Sequence, residues 1–433
     1  MLKSFSVSNF RSIKETCTLD FTRSGRKKSN LSNYTSVGGF DLSLNSVIYG
    51  ANASGKSNLI RAVKALSAII SYSAKFAPDE HIFAYEPYRL EPGYDLKPVC
   101  FTIEFIINSI RYYYTVQFTA KSIVHEKLSY YPLKRETLIF ERNEKREIDF
   151  GDAFKGERKT IERLTLPNQL FLSKAAENNA EICIPVFNCL TEGITFLPLS
   201  KNSINREMEQ LVAEKLSNYP DSSFARKLTS LMSSLDTGIR SFTIIEQPSG
   251  VSESLLYYAP ASFAAPQVSK PYKIKTVHII HDTKNNSTSK VLFDIADESA
   301  GTRNLFTLAG IILFVLEKGN VVVIDEFEKN LHPLITTYLI RLFTNPVTNP
   351  KKAQLLFATH DITQLQEETF NRDQVWFTEK NERGETELLR CSDIKGLRLN
   401  APLDKWYISG RLGGTAIIND TDFMIAMQKD AGE

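Results

Sequence analysis

Apolar and polar residues alternate at the start of the chain. Leu2, Phe5 and Val7 predict a first strand over residues 2–7, and Asn9-Phe10-Arg11-Ser12 then turns the chain. Residues 16–21 predict a second strand. Ser46 to Tyr49 reads as a short buried strand, and after it Leu59, Val63, Leu66 and Ile70 recur at helical spacing. Residues 76–99 contain Pro and Tyr without a period. Val99–Ile107, Tyr112–Ala120 and Ser122–Tyr131 then predict an antiparallel meander, with a turn at Asn108-Ser109. From Glu157 to about Leu235 the chain is charged and helix-prone, with helices expected at 168–180, 205–217 and 222–235. The heptad pattern there is too weak for a long coiled-coil arm. Strands resume at Phe242–Glu246 and Lys273–Asp282, and Asn285-Asn286-Ser287 turns into Lys290–Ile295 as a hairpin. An apolar helix through Leu308, Ile311, Ile312 and Val315 follows. After it come a buried strand at 321–324, a helix from His332-Pro333 through Phe343, and a buried strand at Ala353–Ala358. The pattern predicts an α/β fold.

Candidate chemistry sits where these strands meet helices. Between the strand at 46–49 and its helix lies Gly50-Ala-Asn52-Ala-Ser54-Gly55-Lys56-Ser57-Asn58, which holds the phosphate-loop spacing G-x-x-x-x-G-K-[ST]. The glycines let backbone N–H groups wrap a phosphate chain, and the helix N-terminus adds positive potential. Lys56 can reach the outer phosphates, and Ser57 can ligate Mg²⁺. Asp325 and Glu326 end the strand at 321–324. We assign Asp325 to the metal, opposite Ser57, and Glu326 to orienting and deprotonating an attacking water. His360 follows the strand 353–358, at the edge where open α/β sheets bind ligands, and could hydrogen-bond a γ-phosphate.

Ser299, Gly301 and Thr302 begin the apolar helix. They form either a second anion site or an ordinary helix cap. One ATP would not use two helix ends of the same subunit. A head-to-tail homodimer, in which this segment closes on the ATP of the other copy, solves the geometry. Gln117 could be a Mg²⁺-sensing glutamine, but an outward-facing strand residue explains it equally.

Composition narrows the partners. In 433 residues, 42% hydrophobic and 24% charged, the formal net charge is +2, which supports no polyanion partner by itself. Arg23, Arg26, Lys27 and Lys28 cluster in one polar stretch, readable as a solvated loop or a phosphate-contacting one. The five cysteines are scattered and form no C-x-x-C pair, so reduced thiols in a cytosol are expected. His278 and His281 are spaced to face opposite sides of a strand, which argues against a shared metal. No apolar run of 18 residues and no signal-peptide pattern is present, so a cytoplasmic protein without a membrane span is expected.

With these residues in hand, the chain resembles an ATPase head of the ABC type, of the SMC/RecF/OLD branch. The resemblance orders an opening N-F-R-S (Asn9–Ser12), the phosphate loop (Gly50–Ser57), a signature (Ser299–Thr302), a Walker B pair (Asp325, Glu326), a D-loop (Asn330–Pro333) and a switch histidine (His360). It implies a mixed β-sheet with a P-loop core plus an antiparallel β-subdomain and a helical insertion. It also places Arg11 near the nucleotide. The implied organisation is an N-terminal lobe at 1–150, the helical insertion at 151–240, a C-terminal lobe at 241–395 and a tail at 396–433.

The signature Glu-Ser-Ala-Gly-Thr departs from the transporter Leu-Ser-Gly-Gly-Gln. With Leu-His-Pro, Asp373–Glu379 and Tyr407–Gly414, it is similar to stand-alone prokaryotic ATPases of phage-defence and abortive-infection systems. The resemblance implies an ATP- and Mg²⁺-dependent dimer, or a higher oligomer, that senses a trigger and gates a separate effector. A RecF-like DNA-repair ATPase is the alternative, and would need a basic stripe. A scaffold that binds nucleotide and barely turns it over also fits. A nuclease would need a second carboxylate cluster, for which the tail offers Asp420 and Asp422. Residues 160–235 and the tail after Leu397 are the expected partner surfaces. Deletion of residues 160–235 is expected to spare ATP binding and abolish partner binding.

Overall fold

The computed structural model describes residues 1–25, 30–143, 147–198, 202–246, 272–282, 286–397 and 402–415. In chain order the N-terminal elements are β1 (Leu2–Ser8), β2 (Cys17–Asp20), β3 (Tyr34–Val37), β4 (Phe40–Ser43), β5 (Asn45–Gly50) and α1 (Lys56–Tyr72). Then come β6 (Val99–Ile107), β7 (Ile110–Phe118), β8 (Ile123–Tyr131), β9 (Thr137–Arg142) and β10 (Ile148–Phe150). The middle of the chain forms α2 (Arg158–Leu164), α3 (Phe171–Glu177), α4 (Ile184–Thr191), β11 (Ile194–Pro198), α5 (Asn202–Asn218) and α6 (Ser223–Ser234). A hairpin region follows, with β12 (Ser241–Glu246), β13 (Tyr272–Asp282) and β14 (Ser287–Asp294). The last part contains α7 (Ala300–Lys318), β15 (Val321–Asp325), α8 (Pro333–Thr344), β16 (Gln354–Ala358), β17 (Val375–Lys380), β18 (Thr386–Arg390) and α9 (Leu403–Ile408).

The central sheet has the order β11-β15-β16-β5-β17-β18. Its first five strands are parallel, and β18 closes one edge antiparallel. Every residue of β5 and β16 is buried, as expected for strands covered on both faces. The strand period of two divides their side chains between two cores. Ile48, Val323, Leu356 and Ala358 join the core that holds Leu59, Val63, Leu66 and Ile70 of α1. Val47, Tyr49, Val322, Ile324, Leu355 and Phe357 join the other core, with α5, α6, α7 and α8.

The first core is closed by a seven-stranded sheet, β10-β9-β8-β7-β6-β1-β2, whose strands pair antiparallel throughout. The expected meander is its centre. The mixed P-loop sheet and the antiparallel subdomain are therefore present, and α1 lies between them. In the second core, α7 is long and apolar enough to cross a membrane by length and composition alone. Here it buries Leu305, Phe306, Leu308, Ile311, Ile312 and Val315 against the sheet.

The helical insertion expected at 151–240 carries a strand as well. Helices form there, but β11 lies among them and pairs parallel with β15, Phe196 opposite Val323. Periodicity misled because Ile194–Pro198 is too short and too uniformly apolar to separate from its helical surroundings. Phe171, Leu172 and Ala175 of α3 sit in the first core, and Met208, Val212 and Leu228 of α5 and α6 in the second. The segment is woven into the fold. The described part of the tail is likewise packed. Tyr407 of α9 stacks on Phe377, and its hydroxyl donates to the Gly414 carbonyl at 3.0 Å.

One buried carboxylate ties the middle segment to the antiparallel sheet. Glu126 on β8 is fully buried and accepts from the backbone N–H of Phe171 at 2.7 Å, Leu172 at 2.9 Å and the Tyr114 hydroxyl at 3.0 Å. It thereby satisfies the first N–H groups of α3. Burial pushes its pKa above the ordinary carboxylate value, opposed by the Arg142 guanidinium and the two amides. Glu126→Ala would leave these three buried donors without their acceptor. We expect a loss of about 3–5 kcal/mol, seen as a lower chemical-denaturation midpoint by circular dichroism, and an unchanged midpoint would refute it.

Candidate nucleotide site

In the sheet β16 lies between β5 and β15, so the C-terminal ends of the three strands stand side by side. The residues just past them wall a cleft of about 280 Å³. Asn52, Ser54, Gly55, Lys56, Ser57 and Asn58 come from the loop after β5 and the first turn of α1, Asp325 and Glu326 from the end of β15, and Thr359 and His360 from the end of β16. Eight of the loop and acid residues singled out in the sequence are thus brought together with His360.

Loop geometry follows from its glycines. Gly55 caps α1 at φ 115°, a left-handed conformation that favours glycine, and no side chain caps the helix there. A Cβ at Gly50 would lie 2.6 Å from the Thr378 carbonyl. Gly50 does not line the cleft, but its carbonyl accepts from Lys56 Nζ. The loop is braced from β17 and β18: Ser54 Oγ bonds Thr378 Oγ1 at 2.6 Å, and Thr386 Oγ1 donates to the Ser54 carbonyl at 3.0 Å. Ser12 Oγ bonds Thr386 Oγ1 at 2.7 Å and accepts from Asn58 Nδ2 at 2.7 Å, so the N-F-R-S turn is another brace. Arg11 does not line the cleft. Its guanidinium pairs with Glu86.

Lys56 is 6% exposed, and its ammonium donates to two neutral carbonyls, Gly50 at 2.8 Å and Ala51 at 3.0 Å. A buried cation held by neutral groups, above an uncapped helix end, fits a polyphosphate. Ser57 hydrogen-bonds Asp325, which places a hydroxyl and a carboxylate together as a hard-oxygen donor pair that fits Mg²⁺. Burial raises the Asp325 pKa above the ordinary value, and Ser57 opposes it. Burial likewise holds His360 below the usual imidazole value, with Lys56 adding to the effect, so its ring is neutral near pH 7. Glu326 sits at φ 55°, an uncommon conformation for a residue with a side chain, and faces the cleft with its carboxylate half-exposed.

Burial also lowers the Lys56 pKa to about 8, against the pull of Asp325, Glu328 and Glu326. A bound phosphate chain favours the ammonium and raises that value again, so binding takes up a proton above pH 8. ATP affinity is therefore expected to be level from pH 7 to about 8 and to fall by up to about tenfold per unit above it. Titration with a fluorescent ATP analogue checks this, and constant affinity to pH 9.5 would contradict it.

Ser299, Gly301 and Thr302 lie outside this cleft. Ser299 caps α7, its Oγ accepting from Thr302 N at 3.0 Å, in an exposed turn. A Cβ at Gly301 would lie 2.7 Å from the Asn330 carbonyl, so the signature turn abuts the D-loop. Just before it, Glu298 accepts from Thr276 Oγ1 at 2.5 Å and lies 2.8 Å from His278 Nε2. His332 Nδ1 accepts from Leu334 N at 3.2 Å and caps α8. Gln117 is a half-buried strand residue opposite His125 and lines no part of the cleft.

Sequence reading missed Glu328, Thr359 and Lys380. Lys380 and Thr359 line the cleft, and Glu328 joins Thr359 and His360 from behind. Glu328 stood in view two residues after Glu326, yet no motif spacing marks it. Arg26, Lys27, Lys28, Asp420 and Asp422 lie outside the described residues.

A family model described as "AAA domain, putative AbiEii toxin, Type IV TA system" matches residues 46–365, which include both halves of the cleft. The chain belongs to this family of AAA domains. Comparison with curated proteins finds no match.

Among solved structures, the chain is similar to an SMC head bound to the C-winged helix domain of ScpA, at 13% identity over 90% of this chain and 96% of that one, with a TM-score of 0.43. It is also similar to the SMC head domain from Thermotoga maritima, at 12% identity, 90% and 98% coverage and a TM-score of 0.40. A third similarity is to an Smc head with an extended coiled coil, bound to the C-terminal domain of ScpA, derived from Pyrococcus furiosus. There the identity is 11%, the coverage 90% and 95%, and the TM-score 0.42.

Proposed function

We propose that the chain binds ATP with Mg²⁺, joins a second copy around it, hydrolyses it, and so acts as the sensing and regulatory subunit of a cytoplasmic anti-phage system that gates a separate effector. The observation that carries the dimer is the position of Ser299 and Thr302. Their turn is exposed, outside the chain's own cleft, and backed by the D-loop at Asn330. Leu334 and Tyr338, one helical turn apart on α8 just after that loop, are 73% and 44% exposed and extend the same surface with apolar area. The family description, a putative AbiEii toxin of a Type IV TA system, supports the defence setting.

Within each site the loop amides and Lys56 would bind the phosphates, Ser57 and Asp325 would hold Mg²⁺, and His360 would hydrogen-bond the terminal phosphate. Mg²⁺, when bound, neutralises charge on the phosphate oxygens. Glu326 would orient the attacking water and take its proton. Ser299 and Thr302 of the second copy would close the site, so ATP is the differential ligand of the dimer.

Size exclusion with light scattering tests this, using Glu326→Gln with and without ATP and Mg²⁺. The mass should move from monomer to dimer only with nucleotide. A mass independent of ATP would overturn the ATP-closed dimer.

A further inference from the structure

The segment after Glu326 is laced to the end of β16. Phe327 is fully buried, its ring centroid 4.9 Å from that of Phe357, and its N–H donates to the Ala358 carbonyl at 3.1 Å. Glu328 completes the lacing with both carboxylate oxygens. Oε2 accepts from Thr359 Oγ1 at 2.7 Å, and Oε1 accepts from the backbone N–H of His360 at 2.7 Å. Thr359 Oγ1 in turn accepts from Asp361 N at 3.0 Å, which fixes the turn that carries the imidazole.

On its other side Glu328 opens the D-loop. Its carbonyl accepts from Leu331 N at 2.9 Å, and Asn330 follows at φ 59°, its carbonyl against Gly301.

We propose that Glu328 is a positioning residue: it fixes His360 over the cleft and ties the placement of that histidine to the D-loop and signature turn. This rests on the ATPase reading above and adds a residue that no phosphate-loop, Walker or switch motif names. A carboxylate here costs something electrostatically, since it adds negative charge beside a polyphosphate site. Its fitness lies in presenting two acceptors to two fixed donors. Both are charge-assisted hydrogen bonds, and together they leave the backbone at His360 one orientation. When a second copy presses on the Gly301–Asn330 contact, the displacement reaches His360 through Glu328 within one short, hydrogen-bonded turn.

The chemistry of glutamine supplies the discriminating variant. In Glu328→Gln the amide carbonyl can accept from His360 N–H, while its NH₂ donates to Thr359 Oγ1. The hold survives and the charge does not. Glu328→Ala removes the hold. Glu328→Ala is expected to lower kcat for ATP hydrolysis by about a hundredfold, as displaced catalytic groups do, with KM within about threefold of wild type. Glu328→Gln should keep kcat within about fivefold.

Amide hydrogen exchange provides a readout that needs no ATP. The His360 N–H should exchange about tenfold faster in Glu328→Ala, the loss of one such bond, and remain protected in Glu328→Gln. Wild-type kcat in Glu328→Ala, equal loss in both variants, a KM that rises in step with the fall in kcat, or unchanged His360 exchange would each overturn the proposal. Should Glu328→Ala fail to fold, Thr359→Val deletes one of the two donors and is read the same way, with unchanged kcat and exchange counting against it. If the wild type hydrolyses no ATP, the ATPase reading fails, and the exchange comparison still decides the role of Glu328.

Discussion

Glu326→Gln will hydrolyse ATP about 10²–10⁴-fold more slowly than the wild type, the usual contribution of a positioned general base, while binding ATP with nearly unchanged affinity. Glu326 lines the cleft beside Asp325, and its left-handed backbone turns the carboxylate away from the strand direction and into the open side. The nearest cation is Lys329, whose Nζ lies 3.7 Å from Glu326 Oε2 in a half-exposed pair. Such a pair is weak. Glutamine keeps the shape and the hydrogen-bonding reach and loses the basicity. Phosphate release measured beside equilibrium ATP binding separates the two effects. Wild-type turnover in this variant would remove Glu326 from its role, and a parallel loss of binding would make it a binding residue.

Deletion of residues 160–235 will yield no folded protein. The sequence invites the opposite expectation, an appendage that can be cut away. The segment supplies β11, and without it β15 becomes an edge strand with open N–H and C=O groups. It also supplies Phe171 and Leu172 to one core and Met208, Val212, Leu228 and Met232 to the other, all at most 3% exposed. The fit at α7 is close: a Cβ on Gly310 would meet Val212 Cγ2 at 2.6 Å. Burying one such side chain stabilises a fold by about 1.5–3 kcal/mol, against a net stability of about 5–15 kcal/mol for a whole domain. Losing six, about 9–18 kcal/mol, is as large as the whole margin. A soluble truncated chain that elutes as a compact particle and binds ATP would show the expectation to be wrong.

Much of this site was legible because its parts are local. Glycine spacing, a lysine and a hydroxyl on one side, and an apolar run ending in acids on the other, each announce themselves within ten residues. Sheet order then brings them together, and it does so through β16, which carries His360 between them. What sequence could not show is long-range support. Thr378 and Thr386 brace Ser54 from more than three hundred residues away, and Glu328 clasps a turn thirty-two residues on. Nothing in the spacing of a threonine or a third acid marks such contacts. Strand β11 was hidden for a different reason. Five residues surrounded by helix carry too little period to be told apart, and what settles their conformation is the open edge of β15.

The packed tail has a practical consequence. Tyr407 lies on Tyr49 and Phe377, the Gly50 backbone hydrogen-bonds its hydroxyl, and a Cβ on Gly414 would come within 3.4 Å of Gly50 Cα. The strap therefore touches the first residue of the phosphate loop. By reciprocity, whatever ATP does to the grip of this strap, a protein that seizes the strap does to the grip on ATP. The C-terminal region is thus a poor place for an affinity handle in nucleotide-binding work, and a good place from which a partner could read whether the loop is filled.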